Sequence, residues 1–199
     1  MKYSRIVLGV SVMVRKYGKS KVIDFSDWGR PIARVIAKYL EKKPVSVIQV
    51  TNFHLLLSLF GAWLILEGYT IEACSLLVVK GVIDAVDGEL ARIRQRPSHG
   101  GRYWDTIADT VGLFAVMYAF GILLNWELTF TFTIILAILF QYSLFNHFSI
   151  MMRVLGSGDL TSRIDERIQP IAYPWERQKN VNFFHFIYLC FFSWQDLII

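Results

Sequence analysis

The chain has 199 residues, of which 54% are apolar and 15% aromatic, and its mean hydropathy is +0.42. This composition is too apolar for an ordinary soluble domain, and it excludes a disordered chain, a secreted disulfide scaffold and a coiled coil. The net charge is +5, but the basic residues alternate with apolar blocks instead of clustering on one polar element, which argues against nucleic-acid binding.

The N-terminal part, residues 1–47, is predicted to lie in the cytosol. Residues 1–25 form an arm without a cleavable signal, because Lys and Arg follow its short apolar run. A helix is predicted from Ser26 or Asp27 to about Leu40. Its apolar stripe consists of Trp28, Ile32, Val35, Ile36, Tyr39 and Leu40. Cations beside such a stripe are typical of an amphipathic helix in the membrane interface, and packing on the protein's own cytosolic face is the alternative.

Five apolar blocks follow, each about as long as a helix that crosses a bilayer. They lie near 53–67, 71–93, 106–124, 130–152 and 183–199. The period-2 alternation of transmembrane strands is absent. The sequence therefore predicts an all-α integral membrane protein, with a transmembrane domain over residues 48–199. The last block ends at Ile199 without a charged or aromatic anchor, which suggests that a further span is missing.

The distribution of Lys and Arg predicts the orientation in the membrane. These residues are concentrated in 1–47, 92–102 and 153–179, whereas the connections 67–72 and 125–129 carry Glu and no Lys or Arg. By the positive-inside rule, the N-terminus and the two basic connections face the cytosol. In a bacterium, the host membrane would be the plasma membrane.

Ionisable side chains are costly inside membrane segments and mark functional sites, and four carboxylates cluster where the second block ends and the third begins. Asp84 and Asp87 end the second block, and Asp105 and Asp109 begin the third. On a helical wheel each pair occupies one face, so the two pairs can meet at the cytosolic end of the membrane domain. The same faces carry the small or basic residues Gly88, Ala91, Arg92 and Gly101.

Carboxylates crowded at one depth need a counter-charge, and a hard divalent cation such as Mg²⁺ or Mn²⁺ supplies it. Mg²⁺ in proteins is usually completed by substrate phosphate oxygens, and Arg92 with the nearby loop arginines can pair with phosphate. Those loop residues are Arg94, Arg96 and Arg102. The predicted chemistry is group transfer at a metal-bound phosphate. Lys80 is interpreted as a counter-charge for Asp84. The four histidines share no ligand spacing, so a histidine metal site is not predicted.

The motif resembles the signature of the CDP-alcohol phosphotransferase family. All eight positions of that signature have its spacing: Asp84, Asp87, Gly88, Ala91, Arg92, Gly101, Asp105 and Asp109. Thr51 and Asn52 are similar to a Pro-Asn pair common in the family, with Thr in place of Pro. The resemblance implies six membrane helices, a cytosol-facing cavity and a homodimer. It also implies transfer of a phosphoalcohol group, here a phosphatidyl group, from a CDP-alcohol such as CDP-diacylglycerol to an acceptor hydroxyl, with release of CMP.

The resemblance also implies residue roles. Asp84, Asp87 and Asp105 would hold two divalent cations, and Asp109 would share ligation or act as the general base. The CDP pocket would be lined by Asn52, Gly88, Ala91, Arg92 and Gly101. If the acceptor bears a phosphate, Arg153 or Arg163 is predicted to bind it. Two alternatives share intramembrane carboxylates: a divalent-metal transporter and an Asp-rich prenyltransferase.

Overall fold

The computed structural model describes residues 28–155 and 165–192. In these ranges the regular structure consists of six α-helices and no strand, as the apolar blocks predict. The helices are α1 (Arg30–Leu40), α2 (Val47–Leu66), α3 (Thr70–Ile93), α4 (His99–Leu123), α5 (Leu128–Leu155) and α6 (Gln178–Phe192). The predicted arm over 1–25 lies outside the described residues.

Three of these helices are long and apolar enough to cross a membrane: Val47–Leu66, His99–Leu123 and Leu128–Met152. Helix α3 has 24 residues and coincides with the second predicted span, but it carries the charged motif at its C-terminal end. Helix α6 has 15 residues and follows the irregular segment that contains Pro170 and Pro174. The structure thus confirms the all-α membrane fold and gives a helix for every predicted span.

Three spans, α2, α4 and α6, begin several residues earlier than the apolar blocks predict. Helix α2 begins at Val47 because Ser46 and Gln49 form a capping box, in which each side chain accepts a hydrogen bond from the other residue's backbone N–H. Helix α4 begins at His99, after Ser98, whose hydroxyl accepts from the Gly101 N–H. Polar residues therefore occupy the first turns of α2 and α4.

Helix α2 lies between α3 and α4, and small residues bring the backbones together. A Cβ at Gly112 of α4 would lie 2.8 Å from the Cβ of Ser58 on α2. Small residues at membrane helix interfaces allow this close approach, because no side chain separates the helices. Helix α4 also contacts α5 and α6. This packing places the C-terminal half of α3 beside the N-terminal half of α4.

Helix α1 packs against α3, so the predicted stripe of α1 is divided between two surfaces. Ala33 and Ala37 are fully buried, and Ile36 and Leu40 pack against the same apolar cluster. The other stripe residues remain exposed, namely Trp28, Ile32, Val35 and Tyr39. The helix begins at Arg30 with Gly29 as its N-cap and Pro31 in its first turn. The predicted N-caps, Ser26 and Asp27, lie outside the described residues, three and two positions before Gly29. Helix α1 therefore packs on the protein and also presents an outer apolar stripe.

Candidate active site

Three helices contribute side chains to one acidic cluster. Asp84 and Asp87 come from α3, Asp105 comes from α4, and His54 comes from α2. Each of the four offers a donor atom, and these four atoms all lie within 4.8 Å of one another. The convergence of the α3 and α4 carboxylates that the helical wheels predict is therefore present.

The donor atoms of the cluster suit a divalent cation. Around an octahedral ion at about 2.1 Å, neighbouring donors lie about 3.0 Å apart and opposite donors about 4.2 Å apart. The 4.8 Å that bounds the distances in the cluster is a few tenths of an ångström above the larger value. Its carboxylates are at most partly exposed, with Asp87 at 6%. Carboxylate charges this close together in a partly buried site need a neutralising partner. The residues present could hold a metal ion.

His54 lies against the acidic cluster, although the sequence predicts no histidine there. Its Nε2 lies 3.3 Å from Asp105, 3.5 Å from Asp84 and 3.8 Å from Asp87. Ligand spacing along the chain cannot reveal this contact, because three separate helices assemble the cluster. A signal was nevertheless present: Thr51, His54 and Ser58 form a polar stripe at helical spacing on an otherwise apolar helix.

Asp109 lies one helical turn beyond Asp105 and has a different partner. The Nζ of Lys80 donates to Asp109 at 2.5 Å, whereas it is 4.0 Å from Asp84. Lys80 therefore lies within ion-pair distance of Asp84, as the sequence predicts, but its shorter contact is with Asp109. Asp109 does not belong to the group of four donor atoms.

Thr51, the residue that departs from the Pro-Asn pair, contacts the cluster directly. Its hydroxyl donates to the Asp87 carboxylate at 2.7 Å, and both residues are buried. The same hydroxyl lies 3.2 Å from the Val47 carbonyl, but it has one proton, and hydrogen bonds to ionised acceptors are the stronger ones. Thr51 therefore anchors one oxygen of Asp87.

The residues predicted to line a nucleotide pocket lie around the cluster. Gly88, Ala91 and Arg92 are partly exposed on α3, and a Cβ at Gly88 would lie 3.1 Å from the Arg92 guanidinium. Arg92 also contacts Glu89 at 3.1 Å. Gly101 is buried in the first turn of α4, where a Cβ would lie 2.9 Å from the Ser98 hydroxyl oxygen.

Asn52 has a defined neighbour from α4. Its side-chain oxygen accepts a hydrogen bond from the Trp104 indole at 2.7 Å. The Asn52 side chain therefore bridges α2 and α4 next to Asp105, at the same level as Thr51.

Two of the arginines predicted to pair with phosphate have structural partners instead. Arg94 donates to the Leu40 carbonyl at the end of α1, at 2.7 Å, and to the Val45 carbonyl in the connection to α2, at 2.6 Å. Arg102 pairs with Glu166 at 2.6 Å. Arg96 is exposed. A basic residue near a motif does not reveal its partner, because carbonyls at a helix end compete for the same donors.

The segment before α6 closes over the beginning of α4. Glu176 accepts hydrogen bonds from the backbone N–H groups of His99 and Gly100 and from the Ser98 hydroxyl. A carboxylate at a helix N-terminus satisfies unpaired donors and complements the helix dipole. Glu176 thereby holds the turn that contains Gly101. The candidate acceptor residue Arg153 belongs to α5, and Arg163 lies outside the described residues.

Comparison with known proteins assigns this site to a family. Residues 47–193 match the model of the CDP-alcohol phosphatidyltransferase family, and because the match spans most of the chain, the chain belongs to that family. The chain is 29% identical over 140 residues to archaetidylinositol phosphate synthase of Pyrococcus horikoshii. The aligned residues cover 69% of this chain and 71% of that protein. No solved structure matches.

Family membership confirms the predicted reaction class. The protein is an integral membrane transferase of phospholipid biosynthesis, which uses a CDP-alcohol as donor and an alcohol as acceptor. The transfer of a phosphatidyl group is therefore its activity, and the transporter and prenyltransferase alternatives are set aside.

Proposed function

We propose that the cluster formed by Asp84, Asp87 and Asp105 is the metal centre of the transfer reaction, with two divalent cations, Mg²⁺ or Mn²⁺, against the donor diphosphate. The convergence of these carboxylates within the family-matched region carries the proposal. A divalent cation bound there supplies charge stabilisation to the diphosphate and to the departing CMP. The residues proposed to line the CDP pocket are Asn52, Gly88, Ala91, Arg92 and Gly101.

Asp109 is proposed as the general base. Lys80 binds its Oδ1, so Oδ2 remains the oxygen that can accept a proton from the acceptor hydroxyl. The acceptor oxygen then forms a bond to the phosphorus of the phosphoalcohol, and the bond from that phosphorus to the CMP oxygen breaks. Lys80 keeps Asp109 oriented and compensates its charge.

The acceptor is proposed to be a phosphorylated alcohol. The relative from Pyrococcus horikoshii is named archaetidylinositol phosphate synthase, which makes inositol phosphate the first acceptor to test. Arg153 and Arg163 are the proposed binding residues for that phosphate, since Arg153 lies in the last turn of α5 and Arg163 in the basic segment that follows it in the sequence.

The active site is proposed to face the cytosol, with the outer stripe of α1 in contact with membrane lipid; if the source is a bacterium, the membrane is the plasma membrane. The basic connections and the exposed side chains of Trp28, Ile32, Val35 and Tyr39 support this orientation. A homodimer is proposed on the basis of the family resemblance. The division of the chain into a cytosolic part, residues 1–47, and a membrane domain, residues 48–199, remains a prediction.

Thermal unfolding of the detergent-purified chain tests the proposal. CMP or CDP with Mg²⁺ should stabilise the protein more than Mg²⁺ alone, by about 2.7 kcal/mol at a hundred times the dissociation constant. The exposed Glu72→Gln variant should retain this response, and Asp84→Asn should lose it. Stabilisation by Mg²⁺ with no further effect of cytidine nucleotides would contradict the proposed site. A screen of labelled acceptors against CDP-diacylglycerol then identifies the acceptor.

A further inference from the structure

His54 points into the metal centre from a helix that lies outside the motif. The imidazole is fully buried, with 0% exposure, and its Nε2 is 3.3–3.8 Å from oxygens of Asp105, Asp84 and Asp87. The three carboxylates belong to α3 and α4, and His54 belongs to α2. The imidazole therefore joins a group of donor atoms that three helices contribute.

The hydrogen bonding of this ring is incomplete for a buried imidazole. A well-formed N–H···O bond has a donor–acceptor distance of about 2.7–3.2 Å and a single favoured direction. Nε2 makes one hydrogen bond, with Asp105 Oδ1, and at 3.3 Å it is longer than that range. The other two Nε2 distances, to Asp84 and Asp87, are longer by only a few tenths of an ångström. Nδ1 has no hydrogen-bond partner in the described part of the chain. A buried polar group in this condition requires an explanation.

We infer that His54 Nε2 is a ligand of the metal centre, which gives the centre a mixed nitrogen and oxygen donor set. This inference rests on the proposed metal centre and specifies its chemistry. Donors that share one ion lie about 3–4 Å from one another, because each contacts the ion and not the others. The near-equal distances from Nε2 to three carboxylates match that arrangement better than they match a proton donated to one acceptor.

A nitrogen ligand changes which cation the site prefers. Mg²⁺ favours oxygen ligands, whereas imidazole is a good ligand for divalent first-row transition ions. The site is therefore selective for a transition ion over Mg²⁺, with Mn²⁺ as the probe. A site made of carboxylates alone would lack this selectivity.

Pulsed electron paramagnetic resonance on the full detergent-solubilised chain, loaded with Mn²⁺ alone, tests the inference directly. Electron spin-echo modulation from a coordinated nitrogen is expected, and it should change when the histidines carry ¹⁵N in the imidazole ring. The isotope change distinguishes histidine from Lys80, the other nitrogen near the cluster. This experiment uses the unaltered protein and does not depend on a variant that folds.

Two variants assign the signal and the selectivity. His54→Gln keeps a polar side chain but removes the imidazole, so the nitrogen modulation should disappear and the preference for Mn²⁺ over Mg²⁺ should fall about tenfold. The control His147→Gln alters a partly exposed histidine of α5 and should change neither property.

The outcomes separate this inference from the proposed function. If Mn²⁺ binds without histidine nitrogen modulation, His54 only donates a hydrogen bond to the carboxylates, and the inference is overturned while the metal centre stands. If no divalent cation binds to the unaltered chain, the proposed metal centre and the inference both fail.

Discussion

Asp105 and Asp109 lie one turn apart on α4, yet their contacts differ. Asp105 belongs to the group of donor atoms around His54, and Asp109 pairs with Lys80. We therefore expect Asp109→Asn to reduce turnover by a factor on the order of 10² to 10⁴, because the amide keeps the shape but cannot take a proton. Metal and nucleotide affinity should be largely retained. Single-turnover rates beside Mg²⁺-dependent CDP-diacylglycerol binding measure the two effects separately.

Asp105→Asn is the matched comparison for this prediction. It removes a proposed ligand on the same helix, so metal affinity and turnover should decline together. Equal losses of metal, nucleotide and turnover in the two variants would make Asp109 primarily a ligand, and the base would have to be another group.

Thr51 is predicted to orient Asp87 for metal binding. Thr51→Val preserves the shape of the side chain but removes the hydroxyl that donates to Asp87. Hydrogen bonds to charged groups contribute about 1.5–3 kcal/mol, so Mn²⁺ affinity measured by calorimetry should fall about tenfold or more. Thr51→Ser retains the hydroxyl and should restore most of the affinity.

Thr131→Val is the control for Thr51→Val. Thr131 is also a buried helical threonine, but its hydroxyl donates to the Glu127 carbonyl. This contact lies where α5 begins, at the end of α4 that is distant from the motif. Its substitution should leave Mn²⁺ affinity unchanged. A normal affinity in Thr51→Val would show that the Asp87 carboxylate is positioned without Thr51.

The sequence predicts the carboxylates of the cluster but not the side chains that surround them. Asp84, Asp87 and Asp105 follow from helical spacing, because the period of the α-helix is known in advance. The contacts of His54 and Thr51 depend on how α2 packs against α3 and α4, which the sequence of α2 alone does not specify. Arg94 and Arg102 show the same limit, since their carbonyl and carboxylate partners lie on distant segments.

At the scale of elements, Glu89 connects α1 to α3. It is 2% exposed and pairs with Arg30 at 2.9 Å and Arg34 at 3.4 Å on α1. At about 100° per residue, Glu89 lies outside the arc of α3 that carries Asp84 and Asp87. The ion pairs add to the apolar contact that Ala33 and Ala37 make with α3, so α1 is fixed on the protein by two kinds of interaction.

Glu89→Gln is therefore expected to destabilise the protein without direct damage to the metal centre. Removal of one partner from a buried ion pair leaves the other charge uncompensated, which costs on the order of 3 kcal/mol. Thermal unfolding in detergent should show the loss, and Mn²⁺ affinity at low temperature should change little. Glu72→Gln, at an exposed carboxylate in the first turn of the same helix, should have no measurable effect on unfolding.

The positions of the helices are predicted well from apolar blocks, but their beginnings are not. The blocks locate the interiors of α2 to α5, because membrane spans must be apolar over most of their length. They miss the N-terminal ends of α2 and α4. There, capping residues and polar residues such as Asn52 and Arg102 extend each helix beyond its apolar block. The mixed charges of 153–179 are typical of a solvated surface, whereas Glu166 and Glu176 of that segment bind α4.

At the scale of the whole molecule, the polar site lies at one end of an otherwise apolar bundle. The motif ends α3 and begins α4, and the turn between them carries exposed Arg96. The turns at the other ends of these helices contain Glu67 and Glu127. This separation of basic and acidic ends is the basis for the proposed cytosolic active site.

Cysteine labelling tests that orientation. Cys74 and Cys190 are free and exposed, so both are first replaced by Ser, and either Glu67→Cys or Arg96→Cys is then introduced at an exposed turn. In intact bacterial cells, a membrane-impermeant maleimide should label the Glu67→Cys variant, because the positive-inside rule places that turn outside. The Arg96→Cys variant should react only after permeabilisation. The reverse pattern would place the metal centre, and with it the CDP-alcohol site, on the outer side of the membrane.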